Sequence, residues 1–273
     1  MNDPRPVYIA DTCIGGLSVV KSLWKSGHAA NAVFMAEYEV TPLGVKSDRA
    51  IAGVLQRWVE LAEVQSQTLV MACNTLSIRH HQLYGLRVAD TGVNHIVSMV
   101  DCFEAMVRTE IDRLTGKRIL VIGTEFTAAQ SLYPDILNQG LNGSRVETIG
   151  ATELERKIAR FEPRKEDGSD LFDLGLRTAI DNADVAVLAC TCFPMVMDKL
   201  EILFPDVLFL DPGRYCSGLL IGDAGGQSYH LSVRVTGDVV SPATVAEFAG
   251  FYLDDGSGVS VELSPGPGEK DEE

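Results

Sequence analysis

Two stretches of this chain end alike, and that likeness constrains the fold more than any other feature. Thr68 to Thr75 reads T-L-V-M-A-C-N-T, and Asp184 to Cys192 reads D-V-A-V-L-A-C-T-C. Each is an apolar run closed by a cysteine and a small polar residue. Each is also the third such run of a set. The first set is Val7–Asp11, Ala32–Ala36, Thr68–Cys73 and Leu86–Asp90; the second is Arg118–Thr124, Arg145–Ile149, Val185–Cys190 and Val207–Asp211. Continuous rather than alternating apolar residues fit strands covered on both faces, as parallel sheets require. Between the runs lie stretches of helical spacing. Residues 47–66 place Ile51, Val54, Leu55, Trp58, Leu61 and Ala62 on one stripe, and residues 95–114 do so with Ile96, Met99, Val100, Phe103, Met106, Val107 and Leu114. Alternating strands and helices predict right-handed βαβ units.

The expected fold is therefore α/β, with two pseudo-symmetric domains. Each is a mostly parallel sheet flanked by helices, and the functional site lies in the cleft between them. Residues 1–96 with 214–262 make the first domain, 97–213 the second, and 263–273 a disordered acidic tail. The return to the first domain includes a strand and turn over Val233–Asp238 and a closing helix over 242–253 with Pro242 in its first turn.

Open parallel sheets bind ligands beyond the carboxyl ends of their strands. Cysteine is often just a small core residue, but a matched pair at equivalent strand ends favours function for Cys73 and Cys190. An unperturbed thiol titrates near 8.5, so it suits a group that accepts a proton in one direction and donates it in the other. Asp11 ends the first strand ahead of the Gly15-Gly16 pair that opens a helix. It reads either as a cleft carboxylate or as an N-cap, and the glycines as an anion site or a tight turn. Thr124 and Thr127 hold the equivalent place in the second set, as ligand donors or as helix caps. Cys190-Thr191-Cys192 lacks the spacing of a metal motif and a second paired cluster. The histidines, His28, His80, His81, His95 and His230, show no ligand spacing either. No metal is expected.

The balance of charge, −15 over 273 residues, excludes a nucleic-acid partner, which needs clustered Lys and Arg. No apolar run reaches the roughly eighteen residues of a membrane span, and no signal peptide is expected from the run Met1 to Pro6, which leads straight into a strand-like segment. Six irregularly spaced cysteines fit free thiols in a reducing cytoplasm.

Taken together these residues resemble the glutamate racemases, within the cofactor-independent aspartate/glutamate racemases. The likeness is carried by Asp11-Thr12-Cys13-Ile14-Gly15-Gly16-Leu17-Ser18-Val19, Pro42-Leu43-Gly44, Ala72-Cys73-Asn74-Thr75-Leu76-Ser77 and Gly123-Thr124-Glu125-Phe126-Thr127 with Tyr133. It continues through Ala189-Cys190-Thr191-Cys192-Phe193-Pro194, Leu210-Asp211-Pro212-Gly213 and Thr236-Gly237-Asp238. The order and spacing of these segments, from residue 7 to residue 253, make it specific. The resemblance implies an isomerase that interconverts L- and D-glutamate, or a related amino acid, without pyridoxal phosphate or any other cofactor. Cys73 and Cys190 would move protons on opposite faces of Cα, with Asp11 assisting. Thr12, Asn74, Thr75, Thr124, Thr127, Thr191 and Cys192, with Pro42, Leu43 and Gly44, would hold the substrate. It also implies a cytoplasmic enzyme supplying D-amino acid to peptidoglycan, with a small amino acid as ligand, no membrane partner, and a homodimer left open. Other isomerases, a decarboxylase or a non-catalytic binding protein on the same scaffold are the alternatives.

The chain departs from the family pattern at the second cysteine, where the histidine two residues on is Cys192. It departs also at Thr12 and Cys13, which replace Ser and Gly, and at Leu43, which replaces Tyr. The family's further catalytic Glu has no clear counterpart in the three-glutamate segment from Glu153 to Glu162.

Overall fold

The computed structural model describes residues 6–40, 45–65, 68–84, 95–161, 168, 170–220, 229–254 and 259–263. It contains two sheets, and every pairing within them is parallel. The strands are β1 (Val7–Asp11), β2 (Asn31–Glu37), β3 (Thr68–Met71), β4 (His95–Ser98), β5 (Arg118–Gly123), β6 (Arg145–Gly150), β7 (Val185–Ala189), β8 (Leu208–Leu210), β9 (Tyr229–Thr236) and β10 (Val259–Leu263). The helices are α1 (Leu17–Lys25), α2 (Asp48–Gln65), α3 (Asn74–Tyr84), α4 (Met99–Thr109), α5 (Ile111–Leu114), α6 (Glu125–Ala128), α7 (Leu132–Gly140), α8 (Thr152–Ala159), α9 (Leu174–Asp181), α10 (Met197–Leu203) and α11 (Pro242–Leu253). Among the described residues no helix is long and apolar enough to cross a membrane.

The first sheet runs β10-β9-β2-β1-β3-β4 and the second β6-β5-β7-β8. Four strands of the first repeat the order of the second: β2-β1-β3-β4 matches β6-β5-β7-β8. The duplicated pattern in the sequence is thus a duplicated topology, with β9 and β10 added beyond β2. In both sheets the direction of strand addition reverses between the first and third strands, and such a switch point opens a crevice at the strand ends.

Alternation along β1 separates two cores. Tyr8 and Ala10 face Met35, Trp58 and Leu76, whereas Ile9 faces Leu17, Phe34 and Val70. The cluster holding Ile9 and Leu17 is continuous with Leu120, Ile122, Leu154 and Phe193 of the second half. One apolar core therefore joins the inner sides of both sheets. Each large aliphatic or aromatic side chain buried there contributes about 1.5–3 kcal/mol, so burial holds the two halves together.

Two local expectations are corrected, and a third lies outside the described residues. The helix expected over residues 95–114 begins only at Met99, because Ser98 and Asp101 form a capping box; His95–Ser98 is β4, and Ile96 sits on a strand. The fourth strand of the first set is this segment, while Leu86–Asp90 lies outside the described residues. Val259–Leu263 forms an edge strand on β9, so Leu263 belongs to the sheet.

Candidate functional site

The two switch points face each other. Asp11 and Thr12 leave β1, and Cys73 follows β3; Thr124 leaves β5, and Cys190 and Thr191 follow β7. The hydrogen-bond partners of Asp11 come from both halves. Its Oδ1 accepts the Thr12 N–H at 2.6 Å, and its Oδ2 accepts the Thr191 hydroxyl at 2.8 Å. Thr12 Oγ1 lies 3.4 Å from the Cys73 sulfur. The Ser18 hydroxyl, on α1, donates to the Thr191 carbonyl at 2.9 Å. Thus Thr191 is held at both ends by the opposite half of the molecule.

Gly15 makes this approach feasible. A Cβ there would meet Thr191 Oγ1 at 2.5 Å and the Cys192 nitrogen at 2.8 Å. The Gly pair read from the sequence as an anion site or a tight turn is a buried 3₁₀ turn, Ile14–Gly16. It also lets two backbones touch. Its amide at Gly15 points to the Cys13 sulfur, 3.4 Å away.

Around Cys73, α3 begins at the next residue, so the thiol sits at a helix N-terminus, which favours thiolate. Burial and the charge of Asp11 oppose that and push the thiol well above its ordinary range, despite hydrogen bonds from Thr12 and the Leu76 N–H. Burial also raises the Asp11 carboxyl to about 7, against the lowering effect of Thr191 and Thr12. Asn74 is aimed by Tyr133, whose hydroxyl donates to Asn74 Oδ1 at 2.6 Å while its ring stacks on Phe103. The Asn74 amide nitrogen is buried and has no partner among the described residues. Thr75 Oγ1 lies 3.5 Å from Thr124 Oγ1, which donates to Thr127 Oγ1 at 3.2 Å. Thr124 is at once the N-cap of α6 and a member of this row of hydroxyls across the two halves.

The surroundings of Cys190 differ. Cys192 is wholly buried, and its sulfur lies 3.3 Å from that of Cys13. Hydrogen bonds with Cys13 and with Cys190, then burial, drive the Cys192 thiol well above its ordinary range. For Cys13 the contact with Cys192 pulls down, but burial and the charges of Asp11 and Glu155 outweigh it and leave the thiol at about 12. Both are neutral thiols near pH 7. Glu155, on α8, is raised to about 7 by burial, and its carboxylate lies within 4.8 Å of both sulfurs.

Asp11, Thr12, Cys73 and Thr191 are thus brought together, Asn74, Thr75, Thr124 and Thr127 line the same meeting of halves, and Cys190 and Cys192 stand beside Thr191. Pro42, Leu43 and Gly44 lie outside the described residues. Three residues escaped the sequence reading: Glu155, Cys13 as a contact rather than a motif change, and Ser18. Glu155 precedes Ala159 by four residues and follows buried Leu154, so helical spacing alone puts it beside the apolar stripe. A surface cavity of about 690 Å³ opens beside Ser18, lined by Lys21, Lys25, Asp198, Glu201 and Arg214. It takes in Asp211, just past β8, but its mixed charges and lack of thiols set it apart from the strand ends that carry Cys73 and Cys190.

The sequence matches the family profile of Asp/Glu/hydantoin racemases over residues 29–215. It is 30% identical over 216 residues to a glutamate racemase of Shewanella baltica (strain OS185), covering 77% of this chain and 75% of that protein. The fold is similar to that of Campylobacter jejuni glutamate racemase, with a TM-score of 0.70 at 22% identity over 91% of this chain and 98% of that one. It is also similar to Escherichia coli glutamate racemase solved with L-glutamate and the activator UDP-MurNAc-ala, with a TM-score of 0.65 at 21% identity over 95% and 99% of the two chains. With a profile covering most of its length and the paired strand ends in place, the chain belongs to the Asp/Glu/hydantoin racemase family.

Proposed function

We propose that this chain racemises glutamate, or a closely related acidic amino acid, by proton transfer between Cα and the two cysteines at its matched strand ends. One observation carries the reading. Asp11, Thr12 and Cys73 from one half and Thr124, Cys190 and Thr191 from the other converge through the Thr191–Asp11 hydrogen bond. The relatives named above share the activity in their names, and the E. coli enzyme was solved with L-glutamate.

The chemical difficulty is the weakly acidic Cα–H bond. As one sulfur takes the proton, the bonding pair delocalises into the substrate carboxylate; the other thiol then gives its proton to the opposite face. Donors fixed beforehand around that carboxylate stabilise the charge as it grows. The unpartnered Asn74 amide, the hydroxyls of Thr75, Thr124 and Thr127, and the first N–H groups of α3 are suited to this. A carboxylate also fits the protein's negative charge poorly, so these local donors must outweigh the long-range field.

Cys73 begins as a thiol, because burial and Asp11 disfavour its anion. Asp11, titrating near 7, is the base within reach of it. An arriving α-ammonium group would offset the negative charge and bring the thiolate within range. On the Cys190 side Cys192 holds its proton too tightly to be a base near neutrality. Glu155 is the titratable group there whose range spans neutral pH.

The test is exchange at Cα in deuterium oxide with L- or D-glutamate and no added cofactor. Loss of the Cα–H resonance together with loss of optical rotation is expected. Saturating glutamate of either hand that keeps its Cα–H would overturn the reading, and aspartate, a hydantoin and a malonate-type diacid run alongside decide the substrate.

A further inference from the structure

We propose that Cys13, Glu155 and Cys192 form a binding site for a thiophilic divalent cation, zinc above all. The three come from separate parts of the chain: the turn after β1, helix α8 and the turn after β7. Their ligand atoms nevertheless lie within 4.8 Å of one another, and the two sulfurs are 3.3 Å apart. Zinc–sulfur bonds of about 2.3 Å at tetrahedral angles place two sulfurs about 3.8 Å apart, and a sulfur and a carboxylate oxygen about 3.6 Å apart. The sulfurs need to part, and the carboxylate to close in, by amounts that side-chain rotation supplies. The backbone at all three positions is fixed by the shared core, in which Cys13, Cys192, Leu154 and Ile158 all take part.

A pair of neighbouring buried thiols is not enough for such a site, as this molecule itself demonstrates. Cys102 and Cys216 are also buried and hydrogen-bonded to each other. Yet among the described residues Cys13, Glu155 and Cys192 form the one set of three metal-capable side chains at ligand separation. Two thiolates with a carboxylate are a donor set that zinc accepts, one short of its usual four ligands. Binding replaces each S–H proton by the metal, so two protons leave, and a third leaves from whatever fraction of Glu155 is protonated. The three negative groups on a doubly charged ion leave one net charge, near Arg156 and Arg160, whose fields already reach Glu155. No redox partner is required. Local spacing hid this set, since Cys13 and Cys192 are 179 residues apart.

The full-length protein, kept reduced by a phosphine, is titrated with cobalt(II) and then zinc(II). One cobalt per chain is expected, with a thiolate-to-cobalt charge-transfer band in the near ultraviolet that zinc abolishes. Cys13→Ser and Cys192→Ser should each roughly halve the band and weaken binding by about 100-fold or more, given that even outer-shell changes cost 10–100-fold. Glu155→Gln should weaken binding while keeping the band at saturation, and Cys73→Ser should change neither. Should one serine variant fail to fold, the parent protein decides the matter through proton release in weakly buffered solution. Binding of zinc that releases at least two protons per ion supports the site, and binding with no proton release overturns it. The proposal is also overturned by absence of the band at excess cobalt, by its persistence in both serine variants, or by its loss in Cys73→Ser. The readout does not involve turnover, so it stands or falls separately from the racemase reading.

Discussion

The two strand ends that carry Cys73 and Cys190 occupy equivalent places in a repeated topology, yet their chemical settings are unlike. Cys73 sits at the start of α3 with Thr12 at 3.4 Å and Asp11 close by. Cys190 instead has a thiol neighbour, Cys192, which is itself in contact with Cys13. Duplication fixed where the thiols go; it left each half free to choose what surrounds them. The difference teaches that position and activation are separable.

The sharpest way to break the comparison is to remove the thiols one at a time. If both serve as proton carriers, Cys73→Ser and Cys190→Ser should each lower the racemisation rate by about 10²–10⁴-fold, the range for a positioned acid or base. Optical rotation with glutamate checks it. A large loss in one variant and none in the other would mean that the matched strand ends are equal in topology alone.

Next in size is the pH dependence of stability. Asp11 and Glu155 are raised to about 7 and Asp211 to about 6, all chiefly by burial. Each binds its proton more tightly folded than unfolded. Their stabilisation is therefore fully present below the unfolded carboxyl range near 4 and is lost as pH rises through the folded values near 6 and 7. For Asp11 the loss between pH 5 and pH 8 is on the order of 3 kcal/mol. Asp11→Asn should flatten the profile by about that amount, leaving the share from Glu155 and Asp211. Urea denaturation at the two pH values is the measurement, and an unaltered slope in the variant would remove Asp11 as the titrating group.

Much of this arrangement was legible in the sequence. The strands at Val7–Asp11, Thr68–Met71, Arg118–Gly123 and Val185–Ala189 stood out because a doubly covered strand is apolar throughout. The edge strand Val259–Leu263 did not, because Ser260 and Glu262 alternate with apolar residues where one face meets solvent. Helix α4 starts four residues later than its apolar spacing suggests, since the Ser98–Asp101 box that opens the helix overrides the spacing of Ile96 and Met99. At the site, residues tied to a strand end were found, whereas Glu155 and the Cys13–Cys192 contact depend on where chain segments meet in space. No local pattern encodes that meeting.

A smaller change sharpens the comparison from the other side. Cys192→His alone should destabilise the protein by about 1–3 kcal/mol, because the ring would be forced against Cys13 in a packed core. Combined with Cys13→Gly, which removes the obstructing sulfur, the imidazole gains room. A base titrating near 6.5 then stands next to Cys190. The acid limb of the pH–rate profile should move toward that value, and the rate at pH 7 should rise. A profile that stays where it was would mean that the position of Cys192 does not govern Cys190.

The smallest effect concerns the aim of Asn74. Tyr133 donates to Asn74 Oδ1 at 2.6 Å inside the core, and this fixes which way the amide turns. Its nitrogen, lacking a partner among the described residues, is thereby presented to the place where the halves meet. Tyr133→Phe keeps the ring and its stacking on Phe103 but removes one buried hydrogen bond, worth about 0.5–1.5 kcal/mol in stability. If the bond serves only packing, the cost appears in thermal unfolding and nowhere else. If it holds the amide toward the substrate carboxylate, KM for glutamate should also rise by about 3–10-fold, since 1.4 kcal/mol corresponds to tenfold. Because the amide sits beside Cys73 in sequence and Tyr133 belongs to the second half, such a rise would show that the half carrying Cys190 sets substrate binding on the side of Cys73.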